Sequence, residues 1–446
     1  MKKNALYYSV LALLISTITT FSQETKPSPT PARQRVIVVG ASPTPTPVSP
    51  DPSQTPRKVV IVTNNLPTPT PTPIAKPIPR DTPITAPSIP NNIPTPNTSP
   101  IPTNLSYRSL SFGQLKNKIA EAKRQMQARP MQTAMTDSFL LTDFVRVAFF
   151  DWKTQQIDYA VLTKTAFLST TADKPTISSN GKGITLRTIR GNGVNTPVVI
   201  VDEEGKTHLP LLVQYPVEKG GRYIETAYYI STHPGVVTPE VVSAGKLYVK
   251  NTIDVAREKL RERGIFIQPQ VADMAERLST LEHVDHQRFR TEYHPNIYND
   301  IFALYALNEG NTYRYSVSSA GAGGMVQMIP STYRMVRSRF YNVPLMPDFV
   351  EGMRNHVNAA TAMLLYMQMT WNDLVASPTV YSAVETGLAT PQQLMAAGYN
   401  SNPAKLAGYI NRGGANWTAL IPRETKIYLQ ILSSMDQFVP MTQRTR

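Results

Sequence analysis

The chain has 446 residues, a formal net charge of +14 from 45 Lys and Arg against 31 Asp and Glu, and no cysteine. The lack of cysteine excludes disulfides, thiol catalysis and cysteine-ligated zinc. The positive charge favours polyanionic partners such as nucleic acid, anionic lipid or an acidic cell-wall polymer, with ordinary solubility charge as the alternative.

The N-terminal segment is typical of a secretory signal peptide. Two lysines precede an apolar run at residues 5–17, and polar residues follow from Ser22. We therefore expect a signal peptide at residues 1–23 and an exported protein, in the periplasm or at the cell surface, with no stable membrane span after cleavage. An uncleaved N-terminal anchor is the alternative. Export makes nucleic acid the least expected of the polyanionic partners.

Residues 24–105 have the composition of a disordered linker. More than half of the 39 prolines lie here, many in Pro-Thr repeats that favour extended polyproline II and offer little to bury. Two short aliphatic segments, residues 33–40 and 56–65, interrupt the repeats. They could add as strands to a sheet edge of a partner, but a duplicated linker is the favoured interpretation.

A β-rich domain of unknown role is predicted at residues 106–237. It begins with a charged helical pattern, and β-branched and aromatic residues then alternate with polar ones, as in antiparallel strands. The predicted elements are a helix at 112–128 and strands at 144–152, 157–168, 184–190, 196–215 (with an internal Glu-Gly turn) and 222–232. Asp143 and Asp151 lie at the edges of a predicted strand, where we expect them to be solvated. This pattern supports no more than a small barrel or sandwich that binds or positions a partner.

From residue 238 onward the pattern is helical. A helical connector is predicted at 238–295 and a mainly α domain at 296–446, so the fold class is α+β multidomain. The predicted helices cover residues 239–264, 297–308, 331–339, 352–369 and 424–435.

Glu309 is the candidate catalytic residue of the helical region. Four-residue spacing places it on one helical stripe with Ile297, Ile301 and Tyr305, where apolar neighbours would raise its pKa and let it donate a proton. The Gly-rich segment that follows suits a cleft wall, and the Gln327 amide suits an acetamido sugar. The alternative is a surface acid followed by an ordinary loop.

Three ordered motifs resemble the soluble lytic transglycosylase family. The first runs from Glu309 through "SSAGAGGMVQMIPST", the second is "AAGYNSNPAKL" (396–406), and the third is "IPRETKIYL" (421–429). In the first, the intervals from the glutamate match the family pattern without a gap at Ser318, Gly321, Ala322, Gly324, Gln327, Pro330 and Thr332. The resemblance covers about residues 297–438.

The sequence departs from the family pattern at a few positions. Gly310 stands where a serine is usual after the catalytic glutamate, and Asn402 stands where a glycine is usual after the Tyr-Asn pair. Met325-Val326 replaces Leu-Met. These changes bear on substrate detail more than on reaction class.

The resemblance implies a lysozyme-like fold and cleavage of the bond between N-acetylmuramic acid and N-acetylglucosamine in peptidoglycan. Glu309 would act first as acid and then as base, and the muramic C6 hydroxyl would close a 1,6-anhydro ring, so no second carboxylate is needed. Ser318 and Gln327 would line sugar subsites, Tyr399 would orient Glu309, and Asn400 would hold the loop. No cofactor is expected.

Two rival functions follow from the same residues. One is a hydrolysing muramidase of goose-lysozyme type, and the other is a non-catalytic scaffold that binds the cell wall. In every case the expected partner is the peptidoglycan glycan strand, with a cell-envelope protein as a further partner of the β-rich domain or linker.

The segment 282–294 contains three histidines beside carboxylates. His283 and His286 lie three residues apart, a spacing that can bind metal, but no His-Glu-x-x-His motif is present. A solvated helix face is the favoured interpretation, with no metal site.

Overall fold

The computed structural model describes residues 107–129, 143–169, 173–189, 198–219, 222–308, 318 and 320–445. The predicted signal peptide (1–23) and the predicted linker (24–105) lie outside these residues, as does Glu309. The domain boundaries drawn from the sequence therefore stay predictions.

The first third of the described chain forms an antiparallel sheet flanked by two helices. Its elements are α1 Phe112–Ala128, β1 Phe144–Asp151, β2 Gln156–Thr163, α2 Lys164–Leu168, β3 Lys174–Ile177, β4 Gly183–Thr188, β5 Val198–Asp202, β6 Thr207–Lys219 and β7 Arg222–Ile230. The strand order is β2-β1-β6-β5-β4-β3, with β7 also paired to β6, and the sheet is nearly closed. This is the predicted β-rich architecture.

β1 is buried on both faces, because each face packs against a different core. Val145, Val147 and Phe149 point into the interior of the sheet. Ala148 and Phe150 point the other way and join the core that α1 covers. The alternation of side chains along a strand produces this division.

α1 is fixed by its cap and by its buried stripe. The Ser111 side chain accepts from the Gln114 amide, while the Gln114 side chain accepts from the Ser111 amide, which is a capping box. At the other end, the buried Arg146 guanidinium of β1 donates to the Met126 carbonyl at 2.7 Å. One last-turn carbonyl of α1 is thereby satisfied from the sheet, and the Arg146 guanidinium also donates to the carbonyl of the cap residue Arg129 at 2.8 Å.

The rest of the described chain is helical. Its helices are α3 Pro239–Arg261, α4 Pro269–Leu281, α5 His286–Thr291, α6 His294–Leu307, α7 Pro330–Arg339, α8 Phe349–Arg354, α9 His356–Val375, α10 Pro378–Glu385, α11 Pro391–Asn400, α12 Leu406–Gly413 and α13 Arg423–Phe438, with 3-10 turns at Pro403–Lys405 and Gly414–Ala419.

Two helices are central to this region. α6 is buried on nearly every side and crosses α3 closely: a Cβ on Gly245 of α3 would lie 1.9 Å from the Phe302 carbonyl oxygen. α4 is also mainly buried and contacts α3, α9, α11 and α13. A helix that is apolar all round belongs in a core, so these two form the framework of the helical region.

Most predicted elements are confirmed, and the differences have local causes. The predicted strand 157–168 is wrong at its end, because the Thr163 hydroxyl accepts from the Ala166 amide at 3.2 Å and starts α2. The predicted helix 352–369 is divided at Asn355, whose side chain caps α9 by accepting from the Asn358 amide. Within the described ranges, no helix combines the length and apolar character that membrane crossing requires.

Candidate active site

The C-terminal end of α4 is the centre of the candidate site. α4 starts with Pro269, which suits the first turn of a helix, and ends with Glu282 as its cap residue in helical geometry. Met274, Leu278 and Glu282 follow at four-residue intervals, and the first two are fully buried. Glu282 therefore continues an apolar stripe into the molecule, instead of extending into solvent.

Glu282 is a half-buried residue whose carboxyl is held by a tyrosine. The Tyr428 hydroxyl of α13 donates to Glu282 Oε1 at 2.6 Å. Desolvation raises the pKa of Glu282 to about 8, the Tyr428 hydrogen bond opposes this rise, and the nearby Glu424 carboxylate adds to it. Neither of these neighbours is a cation. Glu282 is consequently protonated at neutral pH, which is the state a general acid needs.

The two tyrosines beside Glu282 remain neutral donors. Burial raises the pKa of Tyr428 well above its usual value, and the Glu282 carboxyl raises it further. Burial followed by the same carboxyl raises the pKa of Tyr399 in the same direction. Glu282, Tyr399 and Tyr428 thus form one cluster, contributed by α4, α11 and α13.

Tyr399 connects this cluster to the Gly-rich loop, of which residues 318 and 320–329 are described. Its hydroxyl donates to the Val326 carbonyl oxygen at 2.6 Å, and its ring meets the Tyr366 ring edge-on, with 5.8 Å between centroids. Tyr399 is itself half-buried. The structure therefore brings the second sequence motif against the first.

Asn400 makes the next connection. Its side-chain oxygen accepts from the Thr425 hydroxyl at 2.8 Å, and Thr425 is buried in the first turn of α13. This bond joins the end of α11 to the third motif. The Asn400 side chain is thereby occupied in holding two helices together.

The Gly-rich loop has a conformation that depends on its glycines. Gly321 and Gly324 adopt φ of 78° and 71°, and a Cβ at Gly324 would lie 2.4 Å from the Met353 carbonyl oxygen. Gln327 has φ of 48°, which is strained for a residue with a side chain. Its amide donates to the Gly324 carbonyl at 3.0 Å. Such stored strain is characteristic of functional loops.

The loop is also bound directly to the end of α4. His283 Nε2 lies 3.0 Å from the Met325 carbonyl oxygen, and the Tyr305 hydroxyl of α6 donates to the same oxygen at 3.3 Å. Burial lowers the pKa of His283 to about 4, so the imidazole is neutral and donates to Met325. At the start of the loop, the exposed Ser318 accepts from the Ala322 amide through its hydroxyl at 3.1 Å.

The histidine segment is not the solvated helix face that the sequence suggested. His283 contacts the loop, and His294 is buried between the Phe289 carbonyl and the Ser434 hydroxyl. The Arg288 guanidinium pairs with Asp300 at 2.7 Å in the interior. Across the described part of the chain, no three His, Asp or Glu side chains group closely enough to hold a metal ion.

The predicted site residues have different outcomes. Gln327 lies in the loop that Ser318 starts, and Tyr399 and Asn400 lie at the end of α11, where they bind that loop and α13. Glu309 lies outside the described residues, so its role stays a prediction. Sequence reasoning missed Glu282, although its four-residue spacing from Met274 and Leu278 is the same signal that selected Glu309.

A second buried acid cluster lies in the sheet. Asp151 is almost fully buried and pairs with the Lys182 ammonium, while His208 lies 3.3 Å from Asp151 and 3.2 Å from Asp202. The prediction that Asp151 is solvated is wrong, since the β1–β2 turn folds it inward. Burial raises its pKa, but hydrogen bonds from Lys182 and the Lys153 amide, together with His208, lower it overall to about 2.

The chain was compared with known proteins in three ways. No protein-family model, no curated protein and no solved structure matches it.

Proposed function

We propose that this chain is an exported peptidoglycan lytic transglycosylase with a lysozyme-like helical domain. One observation carries the proposal: three motif segments that are far apart in the sequence are joined by hydrogen bonds. Tyr399 binds Val326 of the first motif, and Asn400 binds Thr425 of the third. Separate motifs that converge on one half-buried carboxyl have the arrangement of a catalytic site.

The chemistry of the site supports this reaction class. A protonated carboxyl donates its proton to the glycosidic oxygen as the bond from that oxygen to muramic C1 breaks. The C6 hydroxyl oxygen then bonds to C1, and the carboxylate takes the hydroxyl proton. The acid is regenerated and no water is consumed, so one carboxyl suffices where ordinary hydrolysis needs two.

The surroundings of the carboxyl fit a neutral, hydroxyl-rich substrate. The Tyr428 hydroxyl beside the carboxyl, and the Tyr399 hydroxyl and Gln327 amide of the adjoining segments, are uncharged hydrogen-bonding groups of the kind that bind sugars. The net charge of +14 favours binding to the acidic wall polymer.

Digestion of purified peptidoglycan with the full chain tests the proposal, with the released muropeptides weighed by mass spectrometry. We expect products that are one water lighter than hydrolytic ones and carry 1,6-anhydro ends. Hydrated reducing ends would instead establish a muramidase. Sedimentation with peptidoglycan without any release would establish a wall-binding protein.

A further inference from the structure

We propose that the exposed face of α7, which begins where the Gly-rich loop ends, binds the carboxylates of the peptide stems on the peptidoglycan strand. The inference rests on the proposed function and names the part of the substrate that this face takes. It follows from the position of the helix beside the loop, from the arginines on its open side, and from the environment of their charges.

α7 is fixed directly against the Gly-rich loop. Gly323 and Met328 form an isolated antiparallel bridge that closes the loop on itself, and Pro330 opens the helix. A Cβ on Gly321 would lie 3.9 Å from the Pro330 ring, so the loop and the first turn of α7 are neighbours. A ligand bound along the loop therefore lies beside the start of this helix.

The helix presents arginines to solvent. Tyr333 and Val336 are fully buried and hold one side of α7 to the core. Arg334 and Arg339 are exposed on the open side. Tyr341, which follows the helix, is 88 % exposed. Arginine and tyrosine are among the residue types enriched where proteins bind partners, so this face has the composition of a binding surface.

The arginines of α7 are not neutralised by acids within the described residues. Residues 310–347 contain four arginines and no Lys, Asp or Glu. Arg337 donates to the Pro347 carbonyl oxygen at 3.0 Å, which holds its guanidinium close to the helix. Arg334 and Arg339 form no ion pair with any described side chain. The face therefore keeps a positive charge that attracts anions.

Another arginine near the loop has the opposite environment. Arg354 ends α8 and follows Met353, whose carbonyl oxygen packs against Gly324 of the loop. The Arg354 guanidinium lies 3.0 Å from the Glu351 carboxylate and 3.4 Å from the Glu225 carboxylate of β7. Its charge is compensated within the fold. An exposed guanidinium without such partners is the group that binds a carboxylate through two parallel hydrogen bonds.

The reach of α7 fits a peptide stem. At a rise of roughly 1.5 Å per residue, Arg334 and Arg339 stand about 6 and 13 Å along the helix from Pro330. An extended peptide of about four residues spans roughly 13 Å. A stem that leaves a muramic residue beside the loop therefore brings carboxylates to both arginines. The glycan is uncharged where each muramic carboxyl carries a stem, so the peptide supplies the anions.

Binding of the full chain to insoluble peptidoglycan tests the assignment. Material with native stems is compared with the same material after its carboxyls have been converted to amides, which removes the charge and keeps the strands. Brief co-sedimentation on ice gives the dissociation constants, and release of anhydro products is measured separately.

The variants are Arg334→Gln/Arg339→Gln and the charge-retaining Arg334→Lys/Arg339→Lys. The matched control is Arg124→Gln/Arg290→Gln, which removes two exposed arginines from α1 and α5. Thermal unfolding confirms that each variant folds.

We expect the glutamine pair to raise the dissociation constant for native peptidoglycan by about tenfold, since each exposed charge contact contributes up to about fivefold. The difference should shrink at high salt, because surface charges are screened. On amidated peptidoglycan the parent and this variant should agree within about twofold. The lysine pair should lie between them on native material, because lysine keeps the charge but not the planar geometry. The control pair should match the parent.

Unchanged binding in the glutamine pair, an equal loss on native and amidated peptidoglycan, or a similar loss in the control pair would overturn the assignment. So would tighter binding of the parent to vesicles of anionic phospholipid that the glutamine pair loses, because the face would then bind a membrane surface. The proposed function fails separately: a parent that binds through α7 but releases no anhydro product would refute the transglycosylase reaction and leave the role of α7 in place.

Discussion

Two buried acids in this molecule have opposite environments. Asp151, in the sheet, faces the Lys182 ammonium and His208, and its pKa is lowered to about 2. Glu282, at the end of α4, faces tyrosines and the Glu424 carboxylate, and its pKa is raised to about 8. Both groups are taken out of water, so burial alone does not explain the difference.

The difference lies in whether a neighbouring cation compensates the negative charge of the carboxylate. Partners of opposite charge make the ionised form of Asp151 the stable one, which fits a group that holds the β1–β2 turn to the sheet. Glu282 has hydrogen-bonding partners that tolerate its neutral form, at a cost to stability at higher pH. Groups kept in an unfavourable state are more characteristic of function than of folding. Substitutions at the two positions should therefore have opposite effects on stability.

The largest expected effect is stabilisation by Glu282→Gln at alkaline pH. The pKa of Glu282 in the folded protein lies above its value in the unfolded chain, so folding becomes less favourable as pH rises from about 4.5 through 8. Glutamine removes this penalty, on the order of 3–5 kcal/mol at pH 9, and still accepts from Tyr428.

Urea unfolding of the parent and the variant at pH 4 and pH 9 measures this effect. The difference in unfolding free energy should be small at pH 4 and large at pH 9. A pH-independent difference, or one equal to that of Glu262→Gln, a control at the exposed cap residue of α3, would contradict a raised pKa.

Asp151→Asn should have the opposite effect. It removes the anion that pairs with Lys182 and leaves that ammonium without its partner in a mostly enclosed position. We expect a loss of about 3 kcal/mol at pH 7, as for other broken buried ion pairs. Chemical denaturation would measure it, with Asp173→Asn as the control, since the exposed Asp173–Arg187 pair should contribute less than about 1 kcal/mol. Equal losses in the two variants would mean that burial of the pair is irrelevant.

The stability loss in Asp151→Asn should itself depend on pH, and this dependence is a smaller effect with a defined sign. Because the folded-state pKa of Asp151 lies below its usual value, its contribution is complete above about pH 4 and disappears as pH falls toward 2. The stability advantage of the parent over Asp151→Asn should therefore shrink by about 2 kcal/mol between pH 4 and pH 2. An advantage that is constant over this range would show that Asp151 titrates normally.

The sequence predicted the elements of the molecule better than its buried charges. Alternation and helical spacing depend on local chemistry, so α1 and most strands were located from the residues alone. β3, α4, α5, α10, α11 and α12 were missed; β3 and α5 are short, with four and six residues. The helix α2 was read as strand because its pattern continues that of β2 until the Thr163 cap.

The part of the candidate site that lies in sequence motifs could be predicted from the sequence. The part that depends on tertiary contacts could not. The residues Gln327, Tyr399 and Asn400 stand in motifs, and their segments could be identified without coordinates. Glu282 could not be separated from other helix-end acids, since its environment comes from Tyr428, 146 residues away in the chain. In the same way, Asp151 reads as a surface acid until the sheet brings Lys182 and His208 to it.

The smallest expected effect concerns the hydrogen bond from Tyr428 to Glu282, and it is measured as the pH dependence of stability. Tyr428→Phe removes the hydrogen bond to Oε1 that opposes the raised pKa, so the pKa of Glu282 should rise further. The loss of unfolding free energy with rising pH, which ends near pH 8 in the parent, should therefore extend to higher pH in the variant. The control is Tyr298→Phe. This change removes a buried hydroxyl that donates at 2.8 Å to Ser434, which lies on α13 as Tyr428 does but away from Glu282. A purely structural role for Tyr428 would lower the folded fraction in both variants and leave the pH profile where it is, whereas a shift confined to Tyr428→Phe would tie the tyrosine to the proton on Glu282.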